Sequence, residues 1–383
     1  MSENSQYLVS ARRFRPKVFE EVVGQDHISR TLRNAINENR LHHAYLFTGP
    51  RGVGKTTSAR IYAREVIKKG LIESGNDIDV NQLEDLDIIE IDGASNNSVE
   101  DIRTLRENAK YPPSIGKYKI YIIDEVHMLS KSAFNALLKT LEEPPAHLLF
   151  VFATTEPHKV PATIISRCQR FDFLRMSLDS IMSQLRMIAN KDGIEIEDAT
   201  LLTIAKKADG SMRDSQSIFD QAVAFCGKNI TYKDLANALN LIDEDFYFQI
   251  TDNMLSHNVS AMFDVAKSIS ERGYDLRETI NGLIEHFRNI LAFKASPNIT
   301  IEASSNAIQK YKEAVSKFHN YDLIRILNYL VDTDKNLRTS SQPMIIFELC
   351  LVGLANMDST EELSKLIGLL ESNSDELKKK ALN

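Results

Sequence analysis

The segment Gly49-Pro50-Arg51-Gly52-Val53-Gly54-Lys55-Thr56 narrows what this chain can become more than any other. It matches G-x-x-x-x-G-K-[ST], and it lies between an apolar run, "AYLF" at 44–47, and residues compatible with a helix. Glycines let backbone N–H groups turn towards phosphate oxygens. The Lys55 ammonium can reach the β- and γ-phosphates, and the Thr56 hydroxyl can ligate magnesium. The candidate phosphate-binding residues are therefore Gly49, Pro50, Arg51, Gly52, Val53, Gly54, Lys55, Thr56 and Thr57. Such a loop works where a strand feeds a helix, so this region is committed to an α/β fold.

Further apolar runs fit that commitment: "DIIEI" at 87–91, "KIYII" at 119–123, "LLFVFA" at 148–153 and "RFDF" at 170–173, with helical patterns between them. Apolar strands alternating with helices predict a parallel sheet covered on both faces. In "SAFNALLKTLEEPP", Phe134, Leu137, Leu138 and Leu141 recur at i, i+3, i+4 and i+7, a core stripe, and Pro144-Pro145 ends the helix. After about residue 174 the strand-like runs fade and helices punctuated by glycine take over. A chain of 383 residues exceeds one ordinary core. The expected organisation is a nucleotide-binding core at 1–173, a small helical domain at 174–242, a second helical domain at 243–357 broken by a loop at 294–306, and a helix with a charged tail at 358–383.

The strand "KIYII" delivers Asp124 and Glu125 at its end, where Asp124 suits a magnesium ion and Glu125 suits polarising an attacking water. The pair argues for turnover rather than passive binding. Thr154 and Thr155 close the strand "LLFVFATT"; a hydroxyl there can meet the γ-phosphate or the water, or simply fill a strand end as a β-branched side chain. Arg167 of "SRC" and Arg213 of "GSMRD" can each stabilise developing phosphoryl charge, or stand as exposed helix-surface arginines.

Composition excludes other classes. No apolar stretch approaches a bilayer-spanning length, and "MSENSQYLVSARRFRPK" lacks the apolar centre of a secretory signal, so no membrane partner and a cytoplasmic location are expected. Cys168, Cys226 and Cys350 lie too far apart for a disulfide framework or a paired zinc site. A formal charge of -7 excludes a uniformly basic coat for nucleic acid but allows a local basic surface.

The ordered series "FRPKVFEEVVGQDH", "HHAYLFTGPRGVGKTT", "IDGASNNSVEDIR", "YIIDEVHMLSKSAFNALLKTLEEPP", "FATTEPHKVPATIISRCQRFDF" and "GSMRDSQS" resembles the gamma/tau family of bacterial DNA polymerase III clamp-loader subunits, within the AAA+ ATPases. The resemblance runs from about residue 7 to 242 and is looser beyond. It implies an AAA+ core with a five-stranded parallel sheet, a small helical lid and a helical collar that holds several subunits in a ring. It implies Walker A roles for Lys55 and Thr56, Walker B roles for Asp124 and Glu125, and the sensor-one role for Thr155. Arg167 becomes an arginine finger acting on ATP of the neighbouring subunit, and Arg213 the sensor-two arginine acting within its own chain. Arg15 and Pro16, with Val22, Val23 and Gly24, resemble the segment flanking adenine.

The implied cycle uses ATP and Mg2+: ATP binding opens a sliding clamp and engages primed DNA, and hydrolysis releases the closed clamp. The implied ring partners are delta, delta-prime and further copies of the same subunit. The chain departs from the family in two places. "YAREVIKKGLIESGNDIDVNQLEDLDIIEI" holds none of the four cysteines of the family's zinc module, so no zinc is expected. The chain stops at Asn383 without the long form's tail, so contacts with the polymerase and the replicative helicase are not expected. A branch-migration or fork-maintenance AAA+ motor is the competing enzyme, disfavoured by "SRCQRFDF" and "ASNNSVEDIR". A non-catalytic ring scaffold is the competing non-enzyme, disfavoured by intact Lys55, Thr56, Asp124 and Glu125.

Overall fold

A computed structural model describes residues 9–73, 86–240, 242–296, 299 and 305–358, and it divides into two compact units, Met1–Ala238 and Leu239–Asn383. The tail segment expected at 358–383 lies outside the described residues from position 359 onward.

The first unit is built on five parallel strands: β1 (Ala44–Thr48), β2 (Ile88–Asp92), β3 (Lys119–Asp124), β4 (Leu148–Thr154) and β5 (Gln169–Asp172), in the order β2-β3-β4-β1-β5. Every residue of β1 and β4 is buried, whereas the edge strand β2 is only partly so. Burial on both faces is why these central strands read as unbroken apolar runs.

Alternation along each strand then sorts its side chains to two faces. Tyr45, Phe47, Ile120, Ile122, Leu149 and Val151 pack with residues of helices Asp26–Asn37 and Lys55–Glu73, among them Leu32, Ile36, Tyr62 and Val66. Ala44, Leu46, Tyr121, Ile123, Phe150 and Phe152 pack with residues of helices Val99–Asn108 and Lys131–Glu142. Phe134, Leu137 and Leu141 form the buried stripe of Lys131–Glu142, with Leu138 partly buried at its margin. Ser130 caps this helix by accepting from the Ala133 amide, and the helix stops at Glu142, two residues before Pro144. The sheet and its two helical layers form the α/β core expected for the first part of the chain.

The strands differ from the sequence expectation by a residue at their ends. Asp87, expected in a strand, precedes β2 instead: its buried carboxylate accepts the amides of Ser114, Ile115 and Gly116 at 2.6, 2.9 and 3.0 Å. Its backbone carbonyl still accepts the Ile120 amide at 2.8 Å, and nothing local in "LEDLDII" signals a partner turn so far along the chain.

Four helices follow the sheet within the same unit: Leu178–Asp192, Asp198–Lys207, Met212–Cys226 and Tyr232–Ala238. Gly193 ends the first of them in a left-handed cap. Two short strands, β6 (Glu195–Ile196) and β7 (Asn229–Ile230), pair in parallel there, too brief for any periodicity to announce. The thiols sit in half-buried positions at Cys168 and Cys226 and a buried one at Cys350; burial pushes Cys168 up to about 12 and Cys350 up to about 11.

The second unit is helical among its described residues, with Glu244–Leu255, Val259–Arg272, Leu276–Ala295, Ser305–Ala314, Asn320–Thr339 and Pro343–Ala355 around a core that includes Ile269, Leu283, Phe287, Leu330, Phe347 and Leu351. No described helix is long and apolar enough to cross a membrane.

His286 is among the polar side chains buried in this unit. The His286 ring has Nε2 at 2.8 Å from Thr251 Oγ1 and Nδ1 at 3.2 Å from the Tyr311 hydroxyl. The Thr251 hydroxyl donates to the Tyr247 carbonyl at 3.0 Å, so its oxygen receives Nε2–H and Nδ1 is left to accept from Tyr311. A neutral ring satisfies every partner, and burial pushes the His286 pKa down to about 3.

A histidine depressed in the folded state leaves the unfolded chain binding more protons below its ordinary pKa of about 6.5, so stability falls as pH drops through that value towards about 3. The expected slope is up to about 1.4 kcal/mol per pH unit. Urea unfolding of the wild type and His286→Gln at pH 7, 6 and 5 checks this. The variant is weaker at pH 7 and loses less stability on acidification.

Candidate nucleotide-binding site

At Thr48 the chain leaves β1 and turns through Gly49–Gly54 into the helix Lys55–Glu73. Two glycines are demanded by what surrounds them. A Cβ at Gly49 (φ +141°) would lie 2.4 Å from the Phe173 carbonyl oxygen, and one at Gly52 (φ +75°) would lie 1.9 Å from Ser211 Oγ. Val53, wholly buried, anchors the loop from below. Lys55 follows, only 6% exposed, with its ammonium donating to the Gly49 and Pro50 carbonyls at 2.9 and 2.7 Å. Burial lowers the Lys55 pKa, and the carboxylates of Glu125 and Asp124 oppose that shift.

Strand β3 brings its acidic end to the same place. Thr56 Oγ1 donates to Asp124 Oδ2 at 2.7 Å, and Asp124 Oδ1 accepts the Glu125 amide at 2.9 Å. Glu125 itself takes a left-handed backbone (φ 44°, ψ 46°), a conformation that a side chain of this kind adopts rarely. Its Oε2 accepts from the Thr155 hydroxyl at 3.1 Å. The two adjacent threonines are thus separated: Thr155 meets Glu125, while Thr154, fully buried, bonds His127 Nδ1 at 3.0 Å and accepts the Glu156 amide at 3.0 Å.

Several of these groups line a cavity of about 540 Å3, within the usual size of a ligand pocket, whereas Gly49, Pro50, Val53 and Thr155 are not among its lining residues. Gly52, Gly54, Lys55, Thr56, Thr57 and Arg51 line it from the loop, Asp124 and Glu125 from β3, and Arg15, Pro16, Val22 and Val23 from the N-terminal segment. Met176, Gln184, Met212, Arg213 and Gln216 close it from the helices after the sheet. Ser10 ties the N-terminal segment to those helices, its amide donating to Asp220 Oδ2 at 2.7 Å.

The walls favour an anion. Arg12, Arg15, Arg51, Arg60 and Arg213 join Lys55 against Glu21, Glu90, Asp124 and Glu125. Arg60 is already matched, in a two-point contact with Glu90 at 2.7 and 2.6 Å. Arg15 is not so compensated: burial first and Arg60 second lower its pKa, with Glu90 opposing. An incoming polyphosphate would relieve that crowding of like charge.

The helix Met212–Cys226 touches the loop directly. Ser211 caps it, accepting the Asp214 amide, and the Met212 amide donates to the Gly52 carbonyl at 3.1 Å. Arg213 and the phosphate loop therefore move as neighbours. Arg167 is absent from the cavity lining; its guanidinium donates to Glu142 Oε1 at 2.6 Å and the Thr163 carbonyl at 2.7 Å on the outer face.

The site and the sheet order lead to comparison with known proteins. Three family models follow one another along the chain: DNA polymerase III, delta subunit, over residues 24–177; DNA polymerase III clamp loader subunit, ATPase lid domain, over 180–228; and DNA polymerase III subunits gamma and tau domain III over 230–368. DNA polymerase III subunit tau of Bacillus subtilis is 37% identical over 97% of this chain and 69% of its own length. The chain belongs to the gamma/tau family of DNA polymerase III subunits.

Other members differ chiefly in length. The gamma subunit of Buchnera aphidicola is 33% identical over 92% of this chain and 98% of its own. The Escherichia coli tau subunit is 39% identical over 76% of this chain, and the matched part is 46% of that protein. The matched part thus ranges from under half to about two thirds of the longer relatives' length. Among solved structures, the Thermotoga maritima RuvB branch migration motor is 20% identical with a TM-score of 0.48, covering 67% of this chain and 85% of that one. As a gamma/tau member the chain is an ATPase subunit, and its cavity has the size of a ligand pocket.

Two features were not legible beforehand. His127 stands in "YIIDEVHMLSKSAFNALLKTLEEPP", yet only the fold reveals that it faces two carboxylates. The Arg60–Glu90 pair joins a helix to a strand across thirty positions with no sequence signal. The stretch examined for zinc-module cysteines extends over residues 74–85, outside the described residues.

Gly52 offers a direct check. In Gly52→Ala the new methyl meets Ser211 Oγ and strains a left-handed backbone, at a cost of about 1–3 kcal/mol. Thermal melting should drop by several degrees, and fluorescent-ATP affinity should weaken, because the Gly52 carbonyl loses its alignment with Met212. Adding Ser211→Gly removes the clash and should recover part of the loss, leaving the backbone strain.

Proposed function

We propose that this chain couples ATP binding and hydrolysis to the opening of a sliding clamp and its release on primed DNA, as one subunit of a ring containing delta, delta-prime and further copies of itself. One observation carries the proposal. The cavity brings Lys55, Thr56, Asp124, Glu125 and Arg213 together, whereas Arg167 stands outside it, bonded to Glu142.

The loop amides and Lys55 would receive the β- and γ-phosphates, with Lys55 exchanging the Gly49 and Pro50 carbonyls for phosphate oxygens. Arg15, Val22 and Val23 would flank the base. The hydroxyl of Thr56 and the carboxylate of Asp124, already 2.7 Å apart, form an oxygen donor set that fits magnesium. Such an ion, when bound with ATP, neutralises charge on the phosphates.

Glu125 would polarise the attacking water, steadied by Thr155. Arg213 would reach the phosphates from the lid, so that nucleotide occupancy is felt by the helix docked on Gly52. Arg167 would leave Glu142 to stabilise charge on ATP held by the neighbouring subunit. Full charge neutralisation then exists only at a closed interface, and loss of the γ-phosphate loosens it. No zinc enters this scheme. DNA would be held by a few local contacts within the ring, in the cytoplasm, consistent with a chain of net charge -7.

The test is steady-state ATP hydrolysis by the ring assembled with delta and delta-prime, with and without sliding clamp and primed DNA. The expected result is strong stimulation that requires both. Arg167→Ala should lower the stimulated rate by about 10^3-fold or more while leaving ATP binding intact. Glu125→Gln should bind ATP normally and lose about 10^2–10^4 in turnover. Stimulation by branched DNA without any clamp would move the protein to the class of DNA motors.

A further inference from the structure

The side chain of His127 is 7% exposed, yet both of its ring nitrogens face carboxylates. Left-handed backbone at Glu125 turns the chain sharply into the 3-10 turn Val126–Met128, which brings the ring back beside the Glu125 side chain. Nδ1 lies 3.0 Å from Thr154 Oγ1 and 3.4 Å from Glu125 Oε2. Nε2 lies 3.0 Å from Glu156 Oε2. Glu156 also accepts from Lys159 Nζ at 2.7 Å, a contact that lowers its pKa and keeps it an acceptor, so Nε2 carries a proton.

A histidine that only fills a core needs no charged partner. His286 in the second unit is of that kind, sitting between two neutral hydroxyls. His127 instead joins a carboxylate that lines the nucleotide cavity to one that does not. From Glu156 the chain runs through the turn Pro157–Lys159 and the helix Ala162–Ile165 to the outward-facing Arg167. The same short segment thus carries the histidine's outer partner and the arginine aimed away from its own cavity.

We propose that His127 is a positioning residue for ATP hydrolysis: hydrogen-bonded to Glu156 through Nε2 and standing with its Nδ1 edge against Glu125, it limits the directions open to the Glu125 carboxylate and ties water activation to the segment that leads to Arg167. This rests on Glu125 being the group that polarises the water. Displacement of the Arg167 segment by a neighbouring subunit pulls on Glu156, shifts the imidazole and reorients Glu125. Oε2 of Glu125 accepts from Thr155 and lies 3.4 Å from the Nδ1 edge of the ring, so a small movement of the ring changes the room left to that carboxylate.

The experiment is single-turnover and steady-state ATP hydrolysis by the full chain in its assembled ring, with fluorescent-nucleotide binding measured in parallel. The variants are His127→Ala, Glu156→Gln, the two combined, and Glu125→Gln. The expected result is that His127→Ala lowers kcat by about tenfold or more with KM and nucleotide affinity within about twofold. Glu156→Gln, at a half-exposed position that leaves the interior packing untouched, should also lower kcat, and the double variant should be no worse than His127→Ala.

Wild-type kcat in His127→Ala or Glu156→Gln, with Glu125→Gln inactive, would overturn the relay alone. So would strictly additive losses, or losses of kcat, nucleotide affinity and melting temperature in parallel. Full turnover by Glu125→Gln would overturn the assignment of Glu125 and the relay with it. If His127→Ala does not fold, Glu156→Gln alone decides the outcome by its kcat against KM.

Discussion

Parallel register is the constraint on which the rest of the first unit depends. Thr48 of β1 stands beside Thr154 of β4 and Asp172 of β5, and Asp92 of β2 beside Asp124 of β3, so the carboxyl ends of the strands finish along one edge. The phosphate loop, the acidic pair and Thr155 all emerge at that edge. A slip of one residue in β3 would turn its side chains to the opposite faces and carry Asp124 away from Thr56. Burial prevents the slip, because β1 and β4 are enclosed on both sides and each face has its own set of partners.

On that edge the nucleotide loop is held from two sides. Phe173, immediately after β5, crowds Gly49, and Ser211, at the start of the lid helix Met212–Cys226, crowds Gly52. The second contact matters more for function, since the Gly52 carbonyl accepts from the Met212 amide and so couples the loop to the element bearing Arg213. Lys55 rests on loop carbonyls, a geometry that shields its buried charge while leaving it one short movement from a phosphate. On the proposed function the site is in this sense built beforehand, and binding would exchange internal partners for ligand oxygens.

The arginines divide the labour by location. Arg15 and Arg213 face the cavity of their own chain, whereas Arg167 faces outward with Glu142 as its partner. A half-exposed ion pair of that sort contributes little to stability and is readily exchanged for another anion. The helical second unit has a separate core, with its own internal polar network at His286, Thr251 and Tyr311. Its stability therefore depends on packing that the nucleotide chemistry does not touch.

The sequence by itself determined the features that are contiguous in the chain. The phosphate loop, the Asp124–Glu125 pair and the amphipathic helix at 131–142 are local because backbone geometry fixes which neighbours share a turn or a face. The choice between Thr154 and Thr155 was not local: Thr154 continues the face of Phe150 and Phe152 into the interior, and only the end of the strand frees Thr155 to meet Glu125. Nor was the contrast between Arg167 and Arg213, two arginines after short polar motifs whose directions depend on how the helices pack. The Asp87 turn, the Arg60–Glu90 pair and the bridge from Glu156 through His127 to Glu125 belong to the same class. Each joins groups from different elements, and their meeting is decided by strand register and by the path of the loops between strands. Those are long-range consequences of burying two faces of one sheet, and they exist only once the chain has folded.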